Sequence, residues 1–321
     1  MTNHQPHHRI ITGDCITGMK TLPDGCVQTC ITSPPYFGLR DYGGGDGEIG
    51  QEDTVDGYVQ KMTEVFREVR RILRDDGTLW LNLGDSYMSA KNCAPPPQTQ
   101  GGQRGMPSDF VPANRKDQKG LKTKDLIGIP WRVAFALQAD GWYLRQDIIW
   151  SKPNPMPESV EDRCTKSHEY IFLLSKKPKY YYDKDAISEP LAYPNEKRRP
   201  IGSKGAWEID GRERGENGGG KPYDGYPTRK NKRSVWTVNA KGYKGAHFAV
   251  YPENLIEPCV LAGCPVGGTV FDPFTGSGTT AVVAMKNNRH YIGTELNPEY
   301  VKIAEERIKE SVPQTLEGVF E

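Results

Sequence analysis

The run Asp272-Pro273-Phe274-Thr275-Gly276-Ser277-Gly278-Thr279-Thr280 lies between a strand-like stretch, Thr269–Phe271, and a helix-like one, Gly278–Lys286. Glycines at such a junction let the backbone turn sharply and approach a ligand, and the helix start offers free N–H groups. Glu295 closes the next strand-like segment, where a carboxylate can accept hydrogen bonds from both hydroxyls of a ribose. The combination suits an adenosyl cofactor. It leaves the cofactor open, because Gly276-x-Gly278-x-x-Ala281 also satisfies the dinucleotide fingerprint of NAD proteins. A second cluster, Ser33-Pro34-Pro35-Tyr36, supplies a hydroxyl, a rigid backbone without N–H donors and an aromatic face. Alone, it also reads as an ordinary Ser-Pro turn.

Apolar periodicity defines the elements that must carry these residues. Strands are expected at Arg9–Ile11, Val27–Thr32, Thr78–Leu83, Gln146–Trp150, Tyr170–Leu174, Thr269–Phe271 and His290–Gly293. Helices are expected at Ile16–Leu22, Val55–Leu73, Ile129–Ala139, Pro252–Ala262, Gly278–Lys286 and Pro298–Lys309, with Asp75-Asp76-Gly77 ending the second. Strand–helix–strand alternation predicts a mainly parallel sheet. Only 26 residues follow Glu295, room for one more helix. The strands completing the cofactor half are therefore expected from the N-terminal part of the chain, an order rare among NAD domains.

No apolar run reaches about 18 residues and no signal-like start is present, so a soluble, cytoplasmic protein without a membrane span is expected. Seven cysteines lie scattered without a CxxC pair or a histidine cluster, which predicts reduced thiols and no metal site. The net charge of +1 hides a partition. Segments 91–124 and 193–235 each carry +5, so the remainder carries −9. Both are rich in Gly and Pro and lack periodicity. They read as solvated, disordered insertions or as loops that contact a polyanion.

With these pieces in order, the chain resembles the β-class of DNA amino-methyltransferases, the N4-cytosine/N6-adenine family, in which the catalytic motif precedes the cofactor motif. Ser33-Pro34-Pro35-Tyr36 is similar to its catalytic tetrapeptide, and Asp272 through Thr280 resembles its cofactor loop. Glu295 matches its ribose-binding acid. Gly13-Asp14-Cys15 resembles its adenine-contacting turn, although Asp14 is equally a helix cap. His247-Phe248, ahead of Pro252, looks like the segment lining the methionine end. Trp150-Ser151-Lys152-Pro153-Asn154 and His168-Glu169-Tyr170 resemble the wall around a flipped base, with His168 also readable as a structural histidine.

The resemblance implies a circularly permuted, Rossmann-like α/β sheet with helices on both faces and two basic loop insertions. Segments 1–90 and 125–192 would form the catalytic half, and 236–321 the cofactor half. Segment 91–124 would be a flexible insertion, and 193–235 would recognise the target. It further implies S-adenosyl-L-methionine as cofactor and double-stranded DNA as partner, and leaves a homodimer and a cognate restriction endonuclease open. Methyl transfer to an exocyclic amine would then use Ser33 Oγ and the Pro34 carbonyl as acceptors, with Tyr36 stacking on the base. Ser33 in place of aspartate favours cytosine N4 over adenine N6. Arg40 and Asp41 would border the pocket or form a surface ion pair. Arg198, Arg199, Arg212, Arg214, Arg229, Lys230, Lys232 and Arg233 are expected to bind DNA, with Trp207 beside them. An NAD-dependent oxidoreductase and a catalytically dead DNA-binding module are the competing readings. The first gives Ser33–Tyr36 no purpose, and the second has no reason to keep both Ser33 and Glu295.

Overall fold

The computed structural model describes residues 6–38, 48–89, 118–191, 229–240 and 251–311. Arg40, Asp41, Arg198, Arg199, Trp207, Arg212, Arg214, His247 and Phe248 lie outside them, with most of the two basic segments.

The chain order is β1 (His8–Thr12), α1 (Cys15–Lys20), β2 (Val27–Thr32), α2 (Val55–Ile72), β3 (Leu73–Leu83) and α3 (Ile129–Ala139). It continues with β4 (Tyr143–Ser151), β5 (His168–Ser175), β6 (Glu189–Pro190), β7 (Arg229–Lys230) and β8 (Val235–Thr237). The last part holds α4 (Glu253–Gly263), β9 (Thr269–Asp272), α5 (Thr279–Lys286), β10 (His290–Glu295) and α6 (Pro298–Ser311). The helix α2 forms because Tyr58, Met62, Val65, Phe66, Val69 and Ile72 recur on one face and Thr54 caps its start, accepting from Gly57 N.

Eight strands form one sheet in the order β1-β10-β9-β2-β3-β5-β4-β8. The first five run parallel, β5 runs against both its neighbours, and β8 lies parallel to β4. Helices α1, α2 and α3 pack in one row, and α4, α5 and α6 in another. Leu79, Leu81 and Leu83 of β3 enter the core shared with the first row. Trp80, pointing the other way, meets Gly263 of α4, where an added Cβ would stand 2.6 Å from its indole nitrogen. That is the close approach only glycine permits.

Two expectations need correction. Asp75-Asp76-Gly77 is not a turn between elements, since β3 already begins at Leu73. Leu73 pairs with Val27 and Thr78 with Thr29, so the intervening residues form an irregularity inside the strand. The segment end Val235 does not stay in a loop. It opens β8, because Trp236 is buried and the backbone pairs with Ile149–Ser151.

The chain divides into two compact units, Met1–Asp183 with Arg233–Glu321, and Lys184–Lys232. In the second, β6 and β7 pair antiparallel. No helix among the described residues is long and apolar enough to cross a membrane.

Candidate active site

Because β1, β10, β9, β2 and β3 are parallel, the loops leaving them emerge at one edge of the sheet, the usual ligand side of a doubly wound fold. The start of antiparallel β5 and the end of β4 reach the same edge, since Leu83 pairs with Tyr170 and Ser151 with His168. The permuted order is visible in the strands. The cofactor-type loop follows β9, and β9 lies between β10 and β2, which come from opposite parts of the chain. Thr32 Oγ1 donates to Asp272 Oδ1 at 2.7 Å, so the two motifs touch across 240 residues of sequence.

The cofactor-type loop is shaped from behind. Asp272 is 1% exposed and accepts from Thr32, Phe274 N (2.9 Å), Thr280 Oγ1 (2.6 Å) and Tyr251 Oη (3.2 Å). Burial pushes its pKa above the ordinary carboxylate range, with those bonds pulling the other way. Arg307 of α6 donates to Ser277 O (2.6 Å), Ser277 Oγ (2.8 Å) and Thr279 Oγ1 (3.1 Å). The side chains of Asp272, Ser277, Thr279 and Thr280 thus bond inward, and the loop offers backbone to a ligand. Gly276 and Gly278 take positive φ, 51° and 80°.

Beside the loop, Glu295 Oε2 accepts from Gly276 N (2.8 Å) and Oε1 from Asn297 N (2.9 Å). Its pKa is raised by burial first, with the nearby Asp272 adding to the shift. Gly13 N donates to Glu295 O at 2.8 Å and brings the Asp14–Cys15 turn alongside. Asp14 is the α1 cap, accepting from Thr17 N (2.8 Å) and Oγ1 (2.9 Å). Cys15 is buried and its thiol is pushed up to about 12.

Ser33 Oγ and the Pro34 carbonyl have no hydrogen-bond partner among the described residues. The Pro35 carbonyl, in contrast, accepts from Tyr58 Oη at 2.8 Å. The Tyr36 ring lies against Gly84, whose hypothetical Cβ would be 2.6 Å from it. Its hydroxyl donates to Glu169 Oε2 at 2.7 Å. Asn82 Nδ2 reaches the same oxygen at 3.2 Å, and Lys152 Nζ bonds Glu169 Oε1. His168 packs edge-on against Tyr170.

Sequence reasoning missed Arg307, Tyr251 and Asn82. None carries a spacing signal, because each acts on a loop or strand remote in the chain. Of the expected DNA-binding residues, Arg229 donates to Ser188 Oγ at 2.6 Å and to Ser188 O, and Lys232 lies 3.9 Å from Glu189. Lys230 belongs to β7, and the Arg233 carbonyl accepts from Trp236 Nε1. Among the described residues, no group of three or more His, Cys, Asp or Glu side chains could hold a metal.

A doubly wound sheet with a backbone-lined, glycine-turned loop, set beside a rigid polar–aromatic tetrapeptide, defines a nucleotide-cofactor enzyme of the permuted kind. The profile of the N6/N4 DNA methylase family matches residues 27–306, and the chain belongs to that family. It is a DNA methyltransferase, and the dinucleotide reading of the loop is dropped.

Type II methyltransferase M.SmaI of Serratia marcescens is 48% identical over 300 residues, covering 94% of this chain and 90% of the relative. M.Cfr9I of Citrobacter freundii is 46% identical, covering 94% and 87%. Among solved structures, the cytosine-N4-specific PvuII DNA methyltransferase aligns with a TM-score of 0.61 at 18% identity, covering 96% and 94%. A putative DNA modification methylase of Thermus thermophilus, solved with S-adenosyl-L-methionine, aligns at 0.58 with 22% identity, covering 95% of each chain. At those identities the two structures show a shared fold.

Proposed function

We propose that this protein is the modification methyltransferase of a Type II restriction–modification system and transfers a methyl group from S-adenosylmethionine to cytosine N4 in double-stranded DNA. The observation that carries this reading is the meeting of the two motifs: Ser33–Tyr36 leaves β2 beside the loop leaving β9, joined by Thr32 and Asp272. The residues present fit the cofactor. The loop turns its side chains inward and presents backbone, and Glu295 stands beside Gly276 to receive ribose hydroxyls.

An exocyclic amine is a poor nucleophile because its lone pair is conjugated into the ring. Ser33 Oγ and the Pro34 carbonyl, both without partners among the described residues, accept its two N–H bonds and draw the nitrogen toward tetrahedral geometry. The Pro34-Pro35 backbone holds that carbonyl in place. Tyr36 offers its ring to the extruded base. S-adenosylmethionine, when bound, supplies a methyl already activated by its sulfonium. The protein's part is therefore positioning and electrostatics, with no cysteine nucleophile. Segment 193–235 is assigned to target recognition and 91–124 to backbone contact, from their charge. The Type II names of the relatives support the reading that a cognate endonuclease accompanies it.

Cytosine is favoured over adenine by Ser33. Methylated plasmid DNA digested to nucleosides and separated by mass spectrometry decides this. N4-methylcytosine is expected, N6-methyladenine transfers the mechanism to the other base, and unmodified DNA refutes the activity.

A further inference from the structure

The network around Tyr36 goes beyond the family's two motifs. Four segments of the chain meet at one carboxylate: the tetrapeptide after β2, then β3, the residue that follows β4, and β5. Glu169 Oε2 accepts from Tyr36 Oη at 2.7 Å and from Asn82 Nδ2 at 3.2 Å, and Oε1 takes Lys152 Nζ. The Lys152 and Glu169 side chains are 19% and 15% exposed, so water screens them little. Lys152 is itself held over the Trp150 ring, 4.2 Å from its centroid. Trp150 Nε1 donates to Val238 O at 2.8 Å, and Asn154 exchanges two 2.9 Å bonds with Ala240. The carboxylate is thus braced from behind on a wall that is itself tied down.

A tyrosine ring can rock about its side-chain torsions. Here Gly84 lies close against the ring and Glu169 holds its far end, two restraints on the ring. A phenylalanine would pack on Gly84 equally well but would lack the second restraint. We propose that Glu169, braced by Lys152, is a positioning residue that pre-orients the Tyr36 ring for stacking on the target base. This rests on the base-methylating reading above. The carboxylate does not touch the reacting atoms; it acts through Tyr36. Holding the platform in advance removes motion that would otherwise be frozen out as the base docks.

The test is single-turnover methylation of unmethylated plasmid DNA with tritiated S-adenosylmethionine, for the parent, Glu169→Ala, Tyr36→Phe and the double variant. Each single variant is expected to be slower by about ten- to a hundred-fold, with cofactor affinity by calorimetry unchanged. Because both variants remove the same short Tyr36–Glu169 hydrogen bond, the double variant should be no slower than the slower single. Glu169→Gln keeps an acceptor for the phenol and should recover part of the missing rate. A purely structural ion pair predicts otherwise: Glu169→Ala lowers Tm while Tyr36→Phe keeps the parental rate, and that result overturns the proposal. So do singles whose rate losses multiply in the double variant. If Glu169→Ala does not fold, Tyr36→Phe and Glu169→Gln decide alone, parental rates in both refuting it. An inactive parent sinks this inference together with the proposed function, whereas an active parent with multiplicative losses sinks only the inference.

Discussion

Ser33 and Glu295 are both partly buried but have opposite surroundings. One hydroxyl is without partners among the described residues, and one carboxylate is held by two backbone N–H groups. Under the proposed role of the hydroxyl on the base, Ser33→Ala should slow methyl transfer by orders of magnitude and leave cofactor affinity nearly intact; single-turnover rates and calorimetry check both halves. Glu295→Ala should weaken cofactor binding by about 1–3 kcal/mol, the worth of charge-assisted hydrogen bonds. The pH dependence has a definite sign. Burial raises the Glu295 pKa above its ordinary 4.5, so the folded, cofactor-free protein holds this proton more tightly than the unfolded chain. Its contribution to folding stability is complete below pH 4.5 and is lost as pH rises through the raised pKa. Cofactor affinity moves the other way, falling on acidification as the acceptor charge disappears. Calorimetry of parent and Glu295→Ala across that window should show an acid step in affinity only in the parent. The candidate residues stand out in the sequence because Ser33–Tyr36 and Asp272–Thr280 are contiguous motifs. Arg307 and Asn82 do not, since their partners stand tens of residues away and only the fold brings them together.

Among the elements, α5 and α6 show how closely the cofactor loop is packed. Gly278 takes φ 80°, and a Cβ there would lie 2.8 Å from Ala304 Cβ. Gly278→Ala therefore combines backbone strain with a clash. It is expected to cost about 1–3 kcal/mol of stability and to weaken cofactor binding; thermal denaturation and calorimetry on the same sample check this, and a parental Tm would contradict it. Long periodic segments such as α2 were readable because a buried helical face repeats its signal over several turns. The start of β3 was not, because Asp75-Asp76-Gly77 has turn chemistry and is accommodated as a bulge. Nor was β8, where three residues cannot establish a period and pairing with β4 alone makes the strand.

For the molecule as a whole, the partition of charge bears on DNA. Replacing Arg229, Lys230, Lys232 and Arg233 with neutral residues should flatten the salt dependence of DNA binding, by up to about one log–log unit for each phosphate left without its cation. Arg229 and Lys232 already have intramolecular partners, so the slope should change by less than four phosphates would give. Fluorescence anisotropy across a salt series measures the slope, and a slope equal to the parent's removes these residues from the interface. Cofactor affinity should not move. The permuted architecture was legible from the order of the motifs, Ser33–Tyr36 ahead of Asp272–Thr280, whereas the antiparallel placement of β5 was not, because strand direction leaves no mark in local periodicity.

The seating of β9 and β10 between β1 and β2 also sets a timetable for the living cell. A ribosome emits β1 and β2 early, but the strands that separate them come only after some 240 further residues. At about 5–20 residues per second, that interval lasts on the order of ten seconds to a minute. Through it, β2 has no β9 to pair with, and β1 waits for β10. Domains dominated by such distant pairings fold slowly. A half-made chain can have neither the loop after β9 nor the complete sheet, so methyl transfer by newly made enzyme begins only after a lag set by translation.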